Sequence, residues 1–311
     1  MAEPASTDAP GAVCSLCGVP DAELLLTDLT DVEYSRPGVY GLARCMGCGL
    51  TRLQPFPAPG ALVDLYPPEY HSYHKPVSRL TRFLIRKAAK KHAGEIAQLI
   101  GTTGRVLDIG CADGALFDEW SRYGDWEFVG VEFQDGIAEA GRQAGRDVRT
   151  GTLEEVDFGD ERFRLILMNH LIEHVTDPTE TLETSFRLLE PGGRLLGETP
   201  NIASLDYVLT GRHWGGLHVP RHLYLYSPKT LRAHLERTGF EEIAVTPKLH
   251  TGHWALSIQN WIQSFRPARI VQGRTWYYPS LLLAFIPLNM IQMLLNCTGA
   301  MGFVARKPEG T

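Results

Sequence analysis

The sequence is poor in the features that mark nucleic-acid-binding and exported proteins. The chain of 311 residues carries a formal net charge of -6 at pH 7, so no surplus of positive charge attracts a nucleic-acid backbone. Its first ten residues lack the basic and apolar regions of a secretory signal, and we expect residues 1–12 to form a disordered lead-in. These absences predict a cytoplasmic protein for which nucleic acid is a disfavoured partner.

An uninterrupted apolar run long enough to cross a membrane is also missing. The most apolar stretch, Tyr277 to Cys297, is broken by two prolines and three amide side chains. If the chain later returns to the same sheet, a single crossing would place two paired strands on opposite sides of the bilayer. We interpret residues 250–299 as an apolar insertion with several roles open: packing on the core, covering a substrate cleft, oligomer formation, or peripheral membrane contact.

Cysteine is scarce, and four of the six cysteines form two C-x-x-C pairs, each followed by glycine. Two such pairs can direct four thiolates at one tetrahedral centre, whereas a redox pair requires a helix within a βαβ unit. We predict a zinc ribbon over residues 13–52. The predicted Zn²⁺ ligands are Cys14, Cys17, Cys45 and Cys48. A closed four-thiolate site has no open position, so the metal is expected to be structural.

The chain is organised around a glycine turn between two predicted strands. Residues 105–133, RVLDIGCADGALFDEWSRYGDWEFVGVEF, predict a strand, a turn with Gly110 and Gly114, a helix, and a second strand ending at Glu132. An acid at that strand end is placed to accept hydrogen bonds from both hydroxyls of a ribose. The two aspartates of D-I-G-C-A-D-G disfavour a pyrophosphate and suit a cationic ligand. A glycine turn without any ligand is the alternative interpretation.

This unit resembles the first motif of the class I S-adenosylmethionine-dependent methyltransferases, whose cofactor carries a sulfonium and an amino group. The resemblance implies that S-adenosylmethionine binds here, with its adenine ring near the turn at residues 151–154. The implied cofactor-binding residues are Asp108, Gly110, Cys111, Gly114, Glu132, Phe133, Leu153 and Asn169.

Alternating strand and helix patterns continue after this unit and predict a parallel sheet. The runs NHLIEHVTDP and LLEPGGRLL resemble the fourth- and fifth-strand motifs of class I methyltransferases of the ubiquinone-pathway type. Pro191-Gly192-Gly193 is expected to close a helix before a strand at 194–198, and MGFVARK predicts a last strand at 301–307 that returns antiparallel. The expected fold is α/β: a Rossmann-like, seven-stranded class I methyltransferase domain over residues 78–311, with a small N-terminal zinc ribbon.

Two segments ahead of the sheet each have two interpretations. Residues 53–77 are rich in proline and tyrosine, and form either a lid over the cofactor cleft or a packed linker. Residues 78–100 predict a helix with one strongly basic side. That side is either a solvated face or a patch for anionic lipid or a phosphate-bearing substrate.

Histidines concentrate after the fourth strand and in the segment 202–226, which we predict to be the substrate loop. A four-cysteine motif ahead of this fold resembles the deoxysugar C-methyltransferases. That resemblance implies catalytic roles for His174 in H-V-T-D, His222 in R-H-L-Y-L-Y-S and Tyr70 in the linker. Arg221 differs from that pattern, which has glutamate beside the second histidine. The alternative for His174 is that it only orients a loop.

These motifs together favour methyl transfer to a small hydroxylated metabolite. The resemblance implies a sugar or another natural-product or polysaccharide intermediate, methylated on carbon or oxygen, with a nucleotide-, carrier- or lipid-linked substrate among the options. Two other classes stay open: an RNA methyltransferase with a zinc-ribbon module, and a cofactor-binding protein without turnover.

Overall fold

The structure is a computed structural model that describes residues 13–57, 65–66, 79–266, 270 and 273–310, with the backbone alone at residues 79–82 and 84. In this part of the chain the strands are β1 (Ala22–Leu29), β2 (Tyr40–Cys45), β3 (Thr51–Gln54), β4 (Thr103–Ile109), β5 (Asp125–Glu132), β6 (Val148–Thr150), β7 (Phe163–Asn169), β8 (Leu189–Pro200), β9 (Tyr224–Leu225), β10 (Glu241–Lys248) and β11 (Ala300–Arg306). The α-helices are α1 (Arg79–Ile100), α2 (Ala115–Trp120), α3 (Asp135–Gln143), α4 (Pro178–Leu188), α5 (Leu205–Thr210), α6 (Pro228–Thr238), α7 (Gly252–Gln263), α8 (Tyr278–Ala284) and α9 (Ile286–Leu294).

The larger sheet has seven strands in the order β10-β11-β8-β7-β4-β5-β6. Strands β4 to β8 run parallel to one another, and β11 is antiparallel to both β8 and β10. The central strands are apolar along their length because helices cover both faces, and Leu107 and Ile166 are completely buried. The predicted Rossmann-like seven-stranded sheet with an antiparallel last strand is therefore confirmed.

One strand boundary differs from the prediction. Pro191-Gly192-Gly193 does not form a loop that closes the helix, because α4 ends at Leu188 and β8 begins at Leu189. Leu189 pairs with Phe163 at the start of β7, and the register shifts before the regular pairing resumes at Arg194. The glycines accommodate this irregularity: a Cβ on Gly193 would lie 2.8 Å from the carbonyl oxygen of Glu190.

The second sheet joins the N-terminal segment to the predicted substrate loop. Its order is β1-β2-β3-β9, all antiparallel, so a strand from the loop completes the sheet of the cysteine pairs. Thr51 lies opposite Leu225, and the Leu53 amide donates to the Leu223 carbonyl oxygen at 2.8 Å. We call residues 13–54 the cysteine module. Its buried side chains belong to the same apolar core as those of the larger sheet.

The apolar insertion forms α7, α8 and α9, which follow β10 and precede β11 in the chain. Helix α8 packs against both α7 and α9. Helices α8 and α9 contain 7 and 9 residues. Among the described residues, none of the helices combines the length and the apolar character needed to cross a bilayer.

Candidate active site

The turn between β4 and α2 has the geometry that its glycines predict. Gly110 has a φ of 76° and Gly114, the N-cap of α2, has a φ of 66°, both in the left-handed region that side chains with a Cβ avoid. The amides of Gly110 and Cys111 donate to the Val131 carbonyl oxygen, which fixes the turn against β5. Asp108, the penultimate residue of β4, is buried beneath this turn.

Glu132 ends β5 with a buried, well-positioned carboxylate. One oxygen accepts from the Ala112 amide at 3.2 Å, and the other accepts from the Gln134 amide at 3.0 Å. Burial raises the pKa of this carboxyl group, although the backbone amides act in the opposite direction. Each oxygen keeps a second lone pair, so the carboxylate can accept from the two hydroxyls of a ribose.

Asn169 supplies a buried acceptor at the end of the neighbouring strand β7. Its Oδ1 has no hydrogen-bond partner among the described residues, which is costly for a buried amide unless a ligand provides a donor. Strands β4 and β7 are neighbours, and the chain order of the sheet reverses between them, which is where open α/β sheets bind ligands. The acceptors of Asp108, Glu132 and Asn169 fit the amino group and ribose of S-adenosylmethionine.

The other predicted cofactor residues lie along the same edge. Cys111 is in the glycine turn, and burial raises the pKa of its thiol, with Asp108 and Glu132 adding to the effect. Phe133, directly after β5, is 36% exposed, and Leu153 follows β6 as a buried side chain. Their roles in cofactor binding stay predictions.

Two histidines lie close together, half-buried His174 after β7 and buried His222 in the substrate loop. The ring centroids of His174 and His222 are 4.6 Å apart. His174 Nδ1 donates to the Arg221 carbonyl oxygen at 3.0 Å, and His222 Nδ1 donates to the Gly216 carbonyl oxygen at 2.8 Å. A carbonyl oxygen can only accept, so each Nδ1 carries the proton, and the second nitrogen, Nε2, keeps its lone pair in the neutral ring.

The electrostatic surroundings lower the pKa of both rings and so favour their neutral forms. Burial lowers the pKa of His174, and burial together with the two neighbouring histidine rings lowers the pKa of His222 well below its usual value. Glu173 lies beside them with no exposed side-chain surface. Burial alone would raise its pKa, but the hydrogen bond from His170 and the charges of the nearby histidines have the larger, opposite effect and lower the pKa to about 2. The site therefore combines a fixed anion with two neutral imidazoles.

Glu173, His174 and His222 could also hold a cation, because one potential ligand atom from each lies within 4.8 Å of the other two. The carboxylate is already engaged, however, since Glu173 Oε1 accepts from His170 and Oε2 accepts from the Thr199 hydroxyl at 2.9 Å.

Another histidine of the substrate loop, His218, has a structural role. Its Nδ1 donates to Glu33 Oε1 at 2.8 Å, and its Nε2 accepts from Arg221 Nε at 3.1 Å. Arg221 is fully buried and forms two hydrogen bonds with the carboxylate of Asp31, at 2.8 and 3.0 Å. The β1–β2 connection of the cysteine module thus holds the loop that carries His222.

Tyr66 is the residue of the linker that the structure places in the site. Its hydroxyl oxygen lies 2.9 Å from His174 Nδ1, and its ring contacts Phe133 edge-on with centroids 5.4 Å apart. Tyr66 therefore connects the cofactor edge to the histidines. The predicted catalytic residue Tyr70 lies outside the described residues.

The insertion contributes two further histidines that the sequence analysis did not select. His250 lies 5.8 Å from His170 and 4.3 Å from His253, measured between ring centroids. Burial lowers the pKa of His250 to about 4, and the neighbouring His170 adds to this effect. The HTGH spacing at the start of α7 is a local signal for this pair, and it becomes informative only once the end of β10 is known to lie near His170.

The four cysteines of the module converge as predicted. The Sγ atoms of Cys14 and Cys48 are 3.5 Å apart, those of Cys17 and Cys45 are 3.4 Å apart, and all four lie within 4.8 Å of one another. Zn–S bonds of about 2.3 Å in a tetrahedron require sulfurs about 3.8 Å apart, so the cluster fits a tetrahedral metal. The glycine after each pair enables the tight turn, since Gly18 and Gly49 have φ values of 75° and 85°.

The seven-stranded order of this sheet, with a glycine turn after β4 and a buried acid at the end of β5, is that of the class I methyltransferase fold. A family model described as a methyltransferase domain matches residues 77–245. The chain belongs to this methyltransferase family.

Curated relatives match part of the chain. The ubiquinone biosynthesis O-methyltransferase of Ruegeria pomeroyi is 31% identical over 150 residues, which cover 45% of this chain and 60% of the relative. The protein of the same name from Bradyrhizobium diazoefficiens is 34% identical over 155 residues, which cover 43% of this chain and 60% of the relative. The matched segment thus spans 60% of the length of each relative.

Among solved structures, a SAM-dependent methyltransferase from Thermotoga maritima superposes with a TM-score of 0.46 and 21% sequence identity, covering 72% of this chain and 92% of that chain.

Proposed function

We propose that this protein transfers a methyl group from S-adenosylmethionine to a hydroxyl group of a small molecule. The observation that carries the proposal is the neutral His174–His222 pair at the sheet edge that also presents Asp108, Glu132 and Asn169. S-adenosylmethionine, when bound, supplies an activated methyl group. The chain must then align an acceptor and remove its proton.

His222 is the stronger candidate for the general base. Its Nδ1–H is fixed on the Gly216 carbonyl oxygen, so Nε2 is the atom that takes the acceptor's proton. The buried anion of Glu173 stabilises the imidazolium that forms, and this stabilisation grows as charge develops. His174, held by Arg221 and adjacent to Tyr66, orients the acceptor from the opposite side.

A base that deprotonates a hydroxyl favours O-methylation, and the relatives from Ruegeria and Bradyrhizobium are named O-methyltransferases. A sugar or another natural-product intermediate is a hydroxylated acceptor of this kind. Methylation of carbon needs the same proton removal and is the second option for the same site. The chain's formal net charge of -6 is a reason to favour a small molecule over RNA.

The cysteine module has a structural part in this proposal. Zn²⁺ at the four cysteines stabilises the sheet to which β9 belongs, and β9 directly follows His222 and Leu223. A four-thiolate site is closed, so we assign no chemistry to the metal.

Titration with S-adenosylmethionine tests the cofactor assignment. Glu132→Gln keeps the shape of the side chain but removes the charge that accepts from the ribose, and we expect affinity to fall by about 10- to 100-fold. Glu127→Gln is the matched control on the same strand, because its side chain is 67% exposed. Equal affinity for both variants and the wild type would refute the assignment.

A further inference from the structure

Helix α9 has its apolar and polar sides reversed relative to a helix on a water-soluble surface. Its buried side chains are the amides Asn289 and Gln292, each 0% exposed. Its outward side chains are apolar, with Met290 at 58%, Ile291 at 54% and Leu294 at 84% exposure. A helix normally buries the apolar stripe and exposes the polar one, so the exposed side of α9 is suited to an apolar environment.

The inward amides form a complete hydrogen-bond network. Gln292 Oε1 accepts from Trp254 Nε1 at 2.7 Å, and Gln292 Nε2 donates to Asp206 at 3.1 Å. Asn289 Oδ1 accepts from the His250 amide at 2.9 Å. These bonds fix the rotation of α9 about its axis, and the apolar side cannot turn inward without leaving buried polar groups unpaired.

Other exposed side chains of the insertion extend this apolar character. Leu283 on α8 is 71% exposed and precedes Ile286 and Met290 at helical spacing. Large aromatic side chains are exposed as well: Trp276 at 85%, Phe265 at 61% and Trp261 at 51%. Tryptophan beside aliphatic side chains is the composition of segments that lie in the interfacial layer of a bilayer.

The charge of this region differs in sign from that of the chain. Between Glu242 and Glu309 the sequence contains no aspartate or glutamate, while the insertion itself carries Arg266, Arg269 and Arg274. The chain as a whole has a formal net charge of -6. A positive, acid-free segment with exposed apolar side chains complements an anionic membrane surface.

We propose that the outer side of α8 and α9, with the neighbouring aromatic residues, docks on an anionic lipid surface. The helices lie in the interface instead of crossing it, since they contain 7 and 9 residues. A second copy of the chain is the weaker occupant, because a two-fold interface would bring two acid-free, arginine-bearing surfaces together. The proposal does not depend on methyl transfer.

Docking would place the candidate active site next to the membrane surface. Asn289 is buried on the inner side of α9 and bonds to His250, whose ring lies 5.8 Å from that of His170. A lipid-linked acceptor held in the interface would therefore lie close to the histidines. This consequence does rest on the proposed function, unlike the docking itself.

Co-sedimentation with vesicles tests the docking surface. The vesicles contain phosphatidylcholine with or without phosphatidylglycerol at low salt, and no substrate is present. Leu295, directly after α9, is 66% exposed beside Leu294. Joint replacement Leu294→Gln and Leu295→Gln should weaken partitioning by at least about tenfold, because two apolar side chains no longer enter the interface. The matched control is Leu24→Gln with Met46→Gln in the cysteine module, at 60% and 63% exposure, and its partitioning should equal that of the wild type.

A charge variant and a fold control complete the experiment. Arg266→Gln should reduce binding to the phosphatidylglycerol vesicles about fivefold and leave binding to phosphatidylcholine unchanged. S-adenosylmethionine affinity, measured for every variant, reports whether the fold is retained.

Three outcomes would overturn the proposal. The first is that the wild type stays in the supernatant with anionic vesicles. The second is that the double leucine variant binds these vesicles as strongly as the wild type does. The third is a wild-type dimer in sedimentation velocity that the leucine variant loses while neither protein binds vesicles, which would assign the surface to a second copy.

Discussion

The carboxylate of Asp31 and the guanidinium of Arg221 form a fully buried ion pair with N–O distances of 2.8 and 3.0 Å. The two residues are 190 positions apart in the sequence. Arg221 also lies over the ring of Tyr34, 4.8 Å from its centroid. This pair holds the peptide group beside His222 against the cysteine module, so the position of the loop that carries His222 depends on residues far from it in the chain.

Breaking this ion pair should destabilise the protein strongly. Asp31→Asn or Arg221→Gln leaves one buried charge without its partner, and we expect the free energy of unfolding to fall by about 3–5 kcal/mol. Denaturant unfolding measures the change. Arg44→Gln, in the exposed pair with Glu23 of the same module, is the control and should cost about 0.5 kcal/mol or less. Similar losses for the buried and exposed pairs would contradict the interpretation.

Removal of metal should affect methyl transfer more than cofactor binding. Zinc analysis should find one ion per chain, and chelation should lower the melting temperature because the module loses its cross-link. Turnover should fall at least about tenfold, because β3 no longer holds β9 and the loop that carries His222 in position. S-adenosylmethionine affinity should change by less than about threefold. Cys297→Ser, outside the cluster, should keep its metal. Full turnover without metal would disprove the structural role.

The pH profile of kcat/KM should report the lowered pKa of His222. Burial and the adjacent histidines shift this pKa well below 6.5, so the neutral base persists at pH values where an ordinary histidine is half protonated. Activity should therefore stay level as the pH falls to 6.5 and decline only in more acidic buffer.

Replacement of His222 tests the same assignment by another route. His222→Asn should lower kcat by about 100-fold or more and remove the acidic limb of the profile. His213→Asn, in the same segment but outside the histidine cluster, should leave both unchanged. An acidic limb that persists in the His222 variant would assign it to another group.

Tyr66→Phe should separate the two contacts of this linker residue. The phenylalanine keeps the ring against Phe133 but loses the hydroxyl 2.9 Å from His174 Nδ1. We expect kcat to fall about 5- to 10-fold, in keeping with the loss of one hydrogen bond of about 1–1.5 kcal/mol, with cofactor affinity retained. Tyr66→Ala should weaken cofactor affinity as well. Wild-type kcat in the phenylalanine variant would show that the hydroxyl has no role.

The parts of the site that depend on local sequence were predictable. The glycine turn, Glu132 and the cysteine pairs are each encoded by neighbouring residues whose backbone conformation limits the choice of residue. The bond from Glu33 to His218 was not predictable, because it depends on how two distant segments pack. Arg221 was visible only as a departure from a known pattern, and its buried partner Asp31 explains that departure.

The insertion shows a second limit of sequence reasoning. Its apolar composition was evident, but composition does not reveal which side of a helix faces the core. The inward position of Gln292 follows from partners on α5 and α7, and that of Asn289 from the His250 amide ahead of α7, so the reversed polarity of α9 required the three-dimensional arrangement.

The pairing of β3 with β9 has a consequence for synthesis of the chain. Thr51 emerges from the ribosome long before Leu225, so the module can gather its four cysteines early but cannot complete its sheet until more than two thirds of the chain has been made. Until then the outer edge of β3 presents unpaired backbone groups to other chains. Early metal capture would hold that edge in register for a partner strand that arrives late, and a nascent chain starved of zinc would be the form most prone to aggregation.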